Sequence, residues 1–166
     1  TSDEPLTVSQ SLPGIDGVVI VTTPQEIALL DSRKSINFAK TISVPVLGVI
    51  ENMSGYTIRG TAEANTRISV MGPSGIPLEC ETDGEGNWAL TLDVFKSGGG
   101  EASANDLDVP FLGSLPFDPG IVRGGDDGVH RIVSEPDGEM AQAFDSIVAR
   151  ITEELEGGSG PSLRIT

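Results

Sequence analysis

The sequence predicts an α/β fold in which helices flank a partial parallel sheet that carries a small all-β insertion. Three observations point to it. Residues 17–22 (GVVIVT) and 45–50 (PVLGVI) are continuous apolar runs rich in β-branched side chains, which is typical of strands covered on both faces. The segment between them has helical spacing. Residues 57–92 instead alternate in short segments separated by turn residues, which is typical of antiparallel strands.

The segment between the two apolar runs predicts a helix with a defined start. Thr23 is placed as the N-cap, Pro24 at the first helical position and Glu26 as the partner in a capping box. Apolar residues then recur on one face, at Leu29, Ile36 and Ala39. Strand, helix and strand form a βαβ unit, whose crossover is almost always right-handed.

Two further elements are predicted towards the end of the chain. Residues 111–115 (FLGSL) form a third buried strand. A final helix is predicted with Ser134 as its cap, followed by Pro136 and by Asp137 three residues after the cap. Its apolar stripe consists of Met140, Phe144, Ile147, Val148, Ile151 and Leu155. Residues 157–166, rich in glycine and serine, are predicted to be a flexible tail.

The middle of the chain predicts a different kind of structure. Four short strands are expected, at Thr57–Gly60, Arg67–Met71, Leu78–Thr82 and Trp88–Leu92, with Gly-, Asn- and Asp-rich turns between them. We interpret residues 57–92 as a meander of about four strands inserted into the α/β domain.

The charge of the chain excludes two classes of partner. There are 25 acidic and 10 basic residues, for a formal net charge of −15. Nucleic acid binding depends on basic side chains, and an anionic membrane surface repels such a chain, so neither partner is expected. The acidic balance and the scarcity of lysine resemble proteins of salt-loaded cytoplasms, which is a hypothesis that stability in molar salt tests.

Cysteine usage and the absence of a targeting pattern point to the cytoplasm. Cys80 is the sole cysteine, so no intrachain disulfide forms. The sequence has neither a charged-then-apolar signal segment nor an apolar run of membrane-spanning length. A cytoplasmic location is the expectation that follows.

Polar residues follow each of the three predicted parallel strands, where open sheets bind ligands. Thr22 and Thr23 end the first strand, residues 51–53 (ENM) the second, and residues 116–119 (PFDP) the third. The amide of Asn52 offers a donor and an acceptor to a purine edge, and Pro116 offers an apolar surface to a ring. The alternative is structural, with Asn52 ending a strand and residues 116–119 forming a rigid turn. Spacing alone favours this alternative.

A long ordered stretch of the sequence resembles the Mrp-type iron–sulfur carrier ATPases of the MinD-like branch of P-loop NTPases. The resemblance rests on residues 17–40, on residues 44–56 (VPVLGVIENMSGY), on residues 94–101 (VFKSGGGE) and on residues 109–119 (VPFLGSLPFDP). It covers residues 1–56 and 93–156, which it implies form a P-loop NTPase-like α/β domain around a partial Rossmann-like sheet. It also implies ATP or ADP as ligand, a homodimer and iron–sulfur acceptor proteins as partners.

The resemblance assigns site residues only where the motifs match. Asn52 matches the family's adenine contact, and Pro116 and Asp118 match the segment that closes over the base. Asp3 matches the end of the family's switch segment. No catalytic residue and no metal ligand is predicted.

The sequence departs from the family in two places. It has no Gly-rich loop ending in Lys-Ser/Thr (Walker A) to cradle phosphates; the run at residues 96–100 (KSGGG) has its lysine before the glycines and is interpreted as a flexible connector to a short helix. The Cys-x-x-Cys pair that the family carries after Tyr56 is also missing, because the β insertion stands there, so the iron–sulfur ligands of the family are absent here. We therefore expect an incomplete family member that does not hydrolyse ATP.

The insertion supplies the alternative function. Residues 59–63 (RGTAE) and 83–92 (DGEGNWALTL) resemble part of a bacterial immunoglobulin-like module. In that case the chain is a non-enzymatic scaffold or interaction module that presents the β insertion, as a chimera or a fragment.

Overall fold

A three-stranded parallel sheet is the centre of the computed structural model, which describes residues 7–8, 11–12, 14–72 and 74–157. Its strands are β1 (Val18–Thr22), β2 (Val46–Glu51) and β7 (Phe111–Ser114), in the order β1–β2–β7. The predicted α/β fold with a parallel sheet is confirmed. Asp3 and residues 158–166 of the predicted tail lie outside the described residues.

Helices cover both faces of this sheet. On one face, α1 (Glu26–Thr41) and α2 (Gly99–Asp106) place Ile36 and Ala104 against Val49. On the other face, α5 (Glu139–Gly157) packs Met140 against Ile50 and its neighbours. Val49 and Ile50 are adjacent in β2 and belong to opposite cores because successive strand residues point to opposite faces. This two-sided burial explains the continuous apolar run in the sequence.

The start of α1 differs from the prediction. The N-cap is Gln25, with no side-chain hydrogen bond to the helix, and Thr23 Oγ1 lies 3.4 Å from Gln25 Oε1 instead. Pro24 is buried ahead of the helix, and a Cβ on Gly99 would lie 2.9 Å from its carbonyl oxygen. The capping box at Thr23 is therefore wrong, because packing against the start of α2 holds Pro24 outside the helix.

The predicted cap of the last helix is also wrong. Between β7 and α5 lie α3 (Pro119–Asp127) and α4 (Arg131–Ser134), so Ser134 ends one helix rather than starting the next. Glu135 follows as the C-cap residue, with φ −133° and ψ 72°, outside the helical region, and a residue before proline avoids the helical conformation. Gly138 N then donates to Glu135 O (3.0 Å), in a turn that leads into α5. None of the helices in the described ranges is long and apolar enough to cross a membrane.

The middle of the chain forms the four predicted strands, with a different pairing. They are β3 (Tyr56–Thr61), β4 (Arg67–Met71), β5 (Pro77–Glu81) and β6 (Asn87–Leu92). β3 pairs with β6, and β4 pairs with β5, as two separate antiparallel pairs. The predicted meander is therefore wrong, because β3 and β6 pair directly with each other. Buried Thr82 accepts from Thr66 N (2.8 Å) and donates to Glu63 O (2.7 Å), which joins the two ends of the β4–β5 hairpin.

Candidate functional site at the carboxyl edge of the sheet

The loops that follow the three parallel strands are joined by backbone hydrogen bonds. Asn52 N, just after β2, donates to Thr22 O at the end of β1 (2.7 Å). The segments after β2 and β7 run side by side, with Phe117 N donating to Gly55 O (2.8 Å). Ligands of open parallel sheets bind outside this edge, so Asn52 and the segment beginning at Pro116 lie where the fold places a binding crevice.

Asn52 lines a cleft of about 340 Å³ together with Thr22 and Ser32. Its Oδ1 accepts a hydrogen bond from Met53 N (2.9 Å), and Met53 itself has a left-handed backbone (φ 59°). Its Nδ2 has no hydrogen-bond partner among the described residues. The carboxamide is thus oriented by the backbone, and its NH₂ group is a donor that no other described residue uses.

Pro116 and Asp118 line a second, larger cavity of about 750 Å³. Tyr56, Thr57 and Arg59 of β3 also line it. The structure thus brings Pro116 and Asp118 together and places Asn52 in the neighbouring cleft rather than in the same cavity.

Both carboxylate oxygens of Asp118 have partners within the protein. Oδ1 accepts from Gly120 N (2.7 Å) as the N-cap of α3, and Oδ2 accepts from Arg131 Nε (2.7 Å). Burial acts to raise the pKa of Asp118, but the hydrogen bonds from Arg131 and Gly120 and the nearby charges of Arg131 and Arg123 hold it below its ordinary value. The ionised carboxylate of Asp118 therefore holds the loop after β7 in place through these hydrogen bonds.

Glu51, the last residue of β2, is a residue of this edge that the sequence analysis did not single out. Its side chain is fully buried. Oε1 accepts from Ser54 Oγ (2.5 Å) and Gly98 N (3.0 Å), and Oε2 accepts from Gly100 N (2.5 Å). These bonds offset the cost of burying a carboxylate, and the positive end of α2 favours it further. The signal in the sequence is a glutamate that ends an apolar strand and is followed three residues later by serine.

The glycine run before α2 is closely packed. Gly98 is the N-cap of α2 with φ 77°, a conformation that glycine adopts at little cost. A Cβ on Gly100 would lie 2.9 Å from the Cβ of Glu51. The predicted short helix is confirmed, but the flexible connector is wrong, because the glycines allow the backbone to approach the Glu51 carboxylate.

Structural comparison assigns the class of fold. The cell division ATPase MinD of Pyrococcus furiosus superposes with a TM-score of 0.53 and 21% identity over 83% of this chain and 43% of that protein. The septum site-determining protein MinD of Pyrococcus horikoshii, solved with Mg-ADP, gives a TM-score of 0.51 and 23% identity over 82% and 41% of the two chains. The fold is that of the MinD-like P-loop NTPases.

Sequence comparison gives the family within this class. The profile of the family described as "NUBPL iron-transfer P-loop NTPase" matches residues 1–82 and 80–152, so the chain belongs to this family. Relatives include the iron–sulfur cluster carrier proteins of Methanocaldococcus jannaschii, 37% identical over 95% of this chain, and of Synechocystis, 37% identical over 91%. The chain spans 44% and 35% of their respective lengths.

The sequence contains one cysteine, Cys80, as a candidate thiolate ligand for an iron–sulfur cluster. Cys80 is half-buried in β5, opposite Ile68 of β4, whereas iron–sulfur clusters are usually held by four thiolates. No group of three or more His, Cys, Asp or Glu side chains is arranged to hold a metal ion in the described part of the chain. Cys80 and the other described side chains therefore do not form a cluster site.

Proposed function

We propose that this chain forms the base-recognising side of an ATP-binding iron–sulfur cluster carrier, with Asn52, Pro116 and Asp118 on the adenine side. The observation that carries the proposal is the carboxamide of Asn52, held at the carboxyl edge of the parallel sheet with its amide nitrogen free. Such a group donates to a ring nitrogen of a purine. The relatives named as iron–sulfur cluster carrier proteins support an iron–sulfur cluster as the cargo.

The other two residues act differently from Asn52. The half-buried Pro116 presents its ring as an apolar surface at the edge of the crevice. Asp118 acts as a positioning residue, because both of its oxygens are already bonded to Gly120 and Arg131. Its role is to hold the loop that carries Pro116 in one conformation.

We propose that the residues of this chain, on their own, bind the adenine nucleotide but do not hydrolyse ATP. The sequence contains no Gly-rich loop ending in Lys-Ser/Thr, and phosphoryl transfer in P-loop NTPases depends on that loop and on the Mg²⁺ that it helps to hold.

Dimerisation, transfer to iron–sulfur acceptor proteins and a cytoplasmic location are also proposals. So is the division into an α/β domain of residues 1–56 and 93–156 and an insertion of residues 57–92. It is supported by the separate pairing of β3–β6 and β4–β5.

Calorimetric titration of the chain with ADP, and with GDP for comparison, tests the base contact. We expect weak, saturable binding of ADP that exceeds that of GDP. Asn52→Ala should weaken ADP binding about fivefold, because loss of one hydrogen bond corresponds to about 1 kcal/mol. The matched control is Asn37→Ala, at an exposed position on α1, which should leave the affinity unchanged. Circular dichroism confirms that both variants are folded.

Two results would refute the proposal. One is equal affinity of the wild-type chain and Asn52→Ala for ADP. The other is no saturable binding of ADP at millimolar concentration. ATP incubated with the chain should give no phosphate above the buffer rate, and turnover that survives further purification would contradict the second part of the proposal.

A further inference from the structure

The cavity of about 750 Å³ lies where the insertion leaves the α/β body, and both parts line it. β3 contributes Tyr56 and Arg59, whereas Pro116 and Phe117 come from the loop after β7. Its volume is within the range of pockets that bind small organic molecules, about 300–1,000 Å³.

The floor of this cavity is apolar and aromatic. The rings of Tyr56 and Phe117 meet edge to face with 5.7 Å between their centroids, and Phe95 packs on Phe117 from another side (5.9 Å). Pro119 and Val122 extend the apolar surface, and Val122 is 66% exposed at its rim. Ring edges and aliphatic carbons of this kind suit a flat apolar group of a ligand.

The cavity is lined by more basic than acidic side chains, whereas the molecule as a whole is strongly acidic. Three arginines line it against two carboxylates, namely Arg59, Arg123 and Arg131 against Asp118 and Glu139. The chain as a whole carries 25 acidic and 10 basic residues. Three of the ten basic side chains thus converge on one cavity, where the lining is positively charged.

The arginines keep donor groups free for a ligand. Arg59 is bonded through one terminal nitrogen to Glu139 Oε2 (2.7 Å), which leaves its other donors. Arg131 uses Nε for Asp118 and Nη1 for Glu135. Arg123 is exposed and forms no ion pair within the described ranges. A guanidinium without a partner, beside two that are fixed, matches the bidentate geometry of a phosphate or carboxylate.

We propose that this cavity binds a small organic anion, with its phosphate or carboxylate group at Arg123 and Arg59 and its apolar part on Tyr56 and Phe117. The strand β3 thereby contributes Tyr56 and Arg59 to this ligand site. The inference does not rest on the adenine contact of Asn52, which lies in the neighbouring cleft. The two sites share only the loop that carries Pro116 and Asp118.

The test is a titration of the ¹⁵N-labelled chain with phenyl phosphate, followed by NMR and calorimetry at neutral pH. Phenol and inorganic phosphate are the two halves of this probe, and benzoate replaces phosphate by carboxylate. Arg123→Gln removes the unpaired guanidinium at an exposed position, so that it leaves the fold intact. Arg33→Gln is the matched control, because it makes the same change of net charge on α1, where Arg33 pairs with Asp106.

We expect saturable binding of phenyl phosphate with shifts of the amides of residues 56–59 and 117–123. Arg123→Gln should weaken binding at least fivefold, and Arg33→Gln should not change it. Benzoate binding more tightly than phenyl phosphate would still support the site and would assign the carboxylate. The proposal is overturned by equal losses in the two arginine variants, by phenol binding as tightly as phenyl phosphate, by shifts confined to other parts of the chain, or by no saturable binding.

Discussion

Replacement of Glu51 by glutamine is the most direct perturbation of the carboxyl edge of the sheet. The substitution keeps the shape of the side chain and removes its charge. In the wild-type chain the two carboxylate oxygens accept three hydrogen bonds, from Ser54 Oγ, Gly98 N and Gly100 N. Both backbone donors belong to the start of α2, where the positive end of the helix favours an anion.

The expected loss follows from the geometry of an amide in the same place. If the amide oxygen of the substituted side chain accepts from Gly98 N, the amide NH₂ group faces the N–H of Gly100. In the reverse orientation the NH₂ group faces the N–H of Gly98. Either way one backbone donor loses its partner, at a cost of about 1–3 kcal/mol where that donor is the N–H of buried Gly100. The remaining bonds lose their charge assistance, about 1 kcal/mol each, while the removed burial of a charge offsets part of the sum. We expect Glu51→Gln to lower the free energy of unfolding by about 2–4 kcal/mol.

Urea unfolding followed by far-UV circular dichroism measures this loss as a shift of the midpoint at constant m value. Glu153→Gln is the control, because Glu153 is exposed on α5 and surface substitutions change stability by about 0.5 kcal/mol or less. If Glu51→Gln lowers the free energy of unfolding no more than Glu153→Gln does, the three hydrogen bonds do not stabilise the fold and the reasoning is refuted.

Three further predictions concern other parts of the molecule. Ser103 Oγ is buried in α2 without a hydrogen-bond partner in the described structure, so Ser103→Ala should raise the free energy of unfolding by about 1 kcal/mol; a lower thermal midpoint would contradict this. Asp118→Ala should cost about 1 kcal/mol at neutral pH through loss of the N-cap. Because the pKa of Asp118 is lowered in the folded state, its contribution is complete above its ordinary value and is lost as the pH falls through the folded pKa. The gap between wild type and variant should therefore narrow in acid, and a gap of constant size would refute the ion pair. Finally, the net charge of −15 predicts that the thermal midpoint rises with KCl up to molar concentration; a midpoint that stays level would reject adaptation to salt.

The sheet and its helices were predictable because burial on both faces leaves a strong trace in sequence. Residues 46–50 are a continuous apolar run because α1 and α2 cover one face of β2 and α5 covers the other, whereas β1 at the edge of the sheet leaves Val21 59% exposed. The strands within residues 56–92 were predictable for a similar reason, because alternation marks a strand with one covered face. Their pairing was not predictable. β3 pairs with β6 from Tyr56↔Leu92 to Thr61↔Asn87, and local patterning carries no information on contacts between segments so far apart in sequence.

The helix starts were wrong for a different reason. Capping preferences describe an isolated helix end, whereas Pro24 is buried where the start of α2 approaches it, so closely that a Cβ on Gly99 would lie 2.9 Å from Pro24 O. Likewise Ser134 has the type of an N-cap but is the last residue of α4, because Glu135 leaves the helical conformation before Pro136. In both places a tertiary contact or a proline overrides the local signal.

The structure of the glycine run at residues 98–100 was not predictable from composition alone. Three successive glycines have the same appearance in a loose connector and in a backbone that must approach a buried carboxylate. Here Gly100 lies so close to Glu51 that a Cβ would collide with it, and Glu51 directly precedes Asn52. The residue that we assign to base recognition is therefore fixed on both sides, by Glu51 against the start of α2 and by the hydrogen bond from Met53 N to its own Oδ1. A side chain held in this way loses little conformational entropy when a ligand binds. It follows that Glu51→Gln should weaken ADP binding even under conditions in which the variant is fully folded, although Glu51 itself is buried and reaches no ligand.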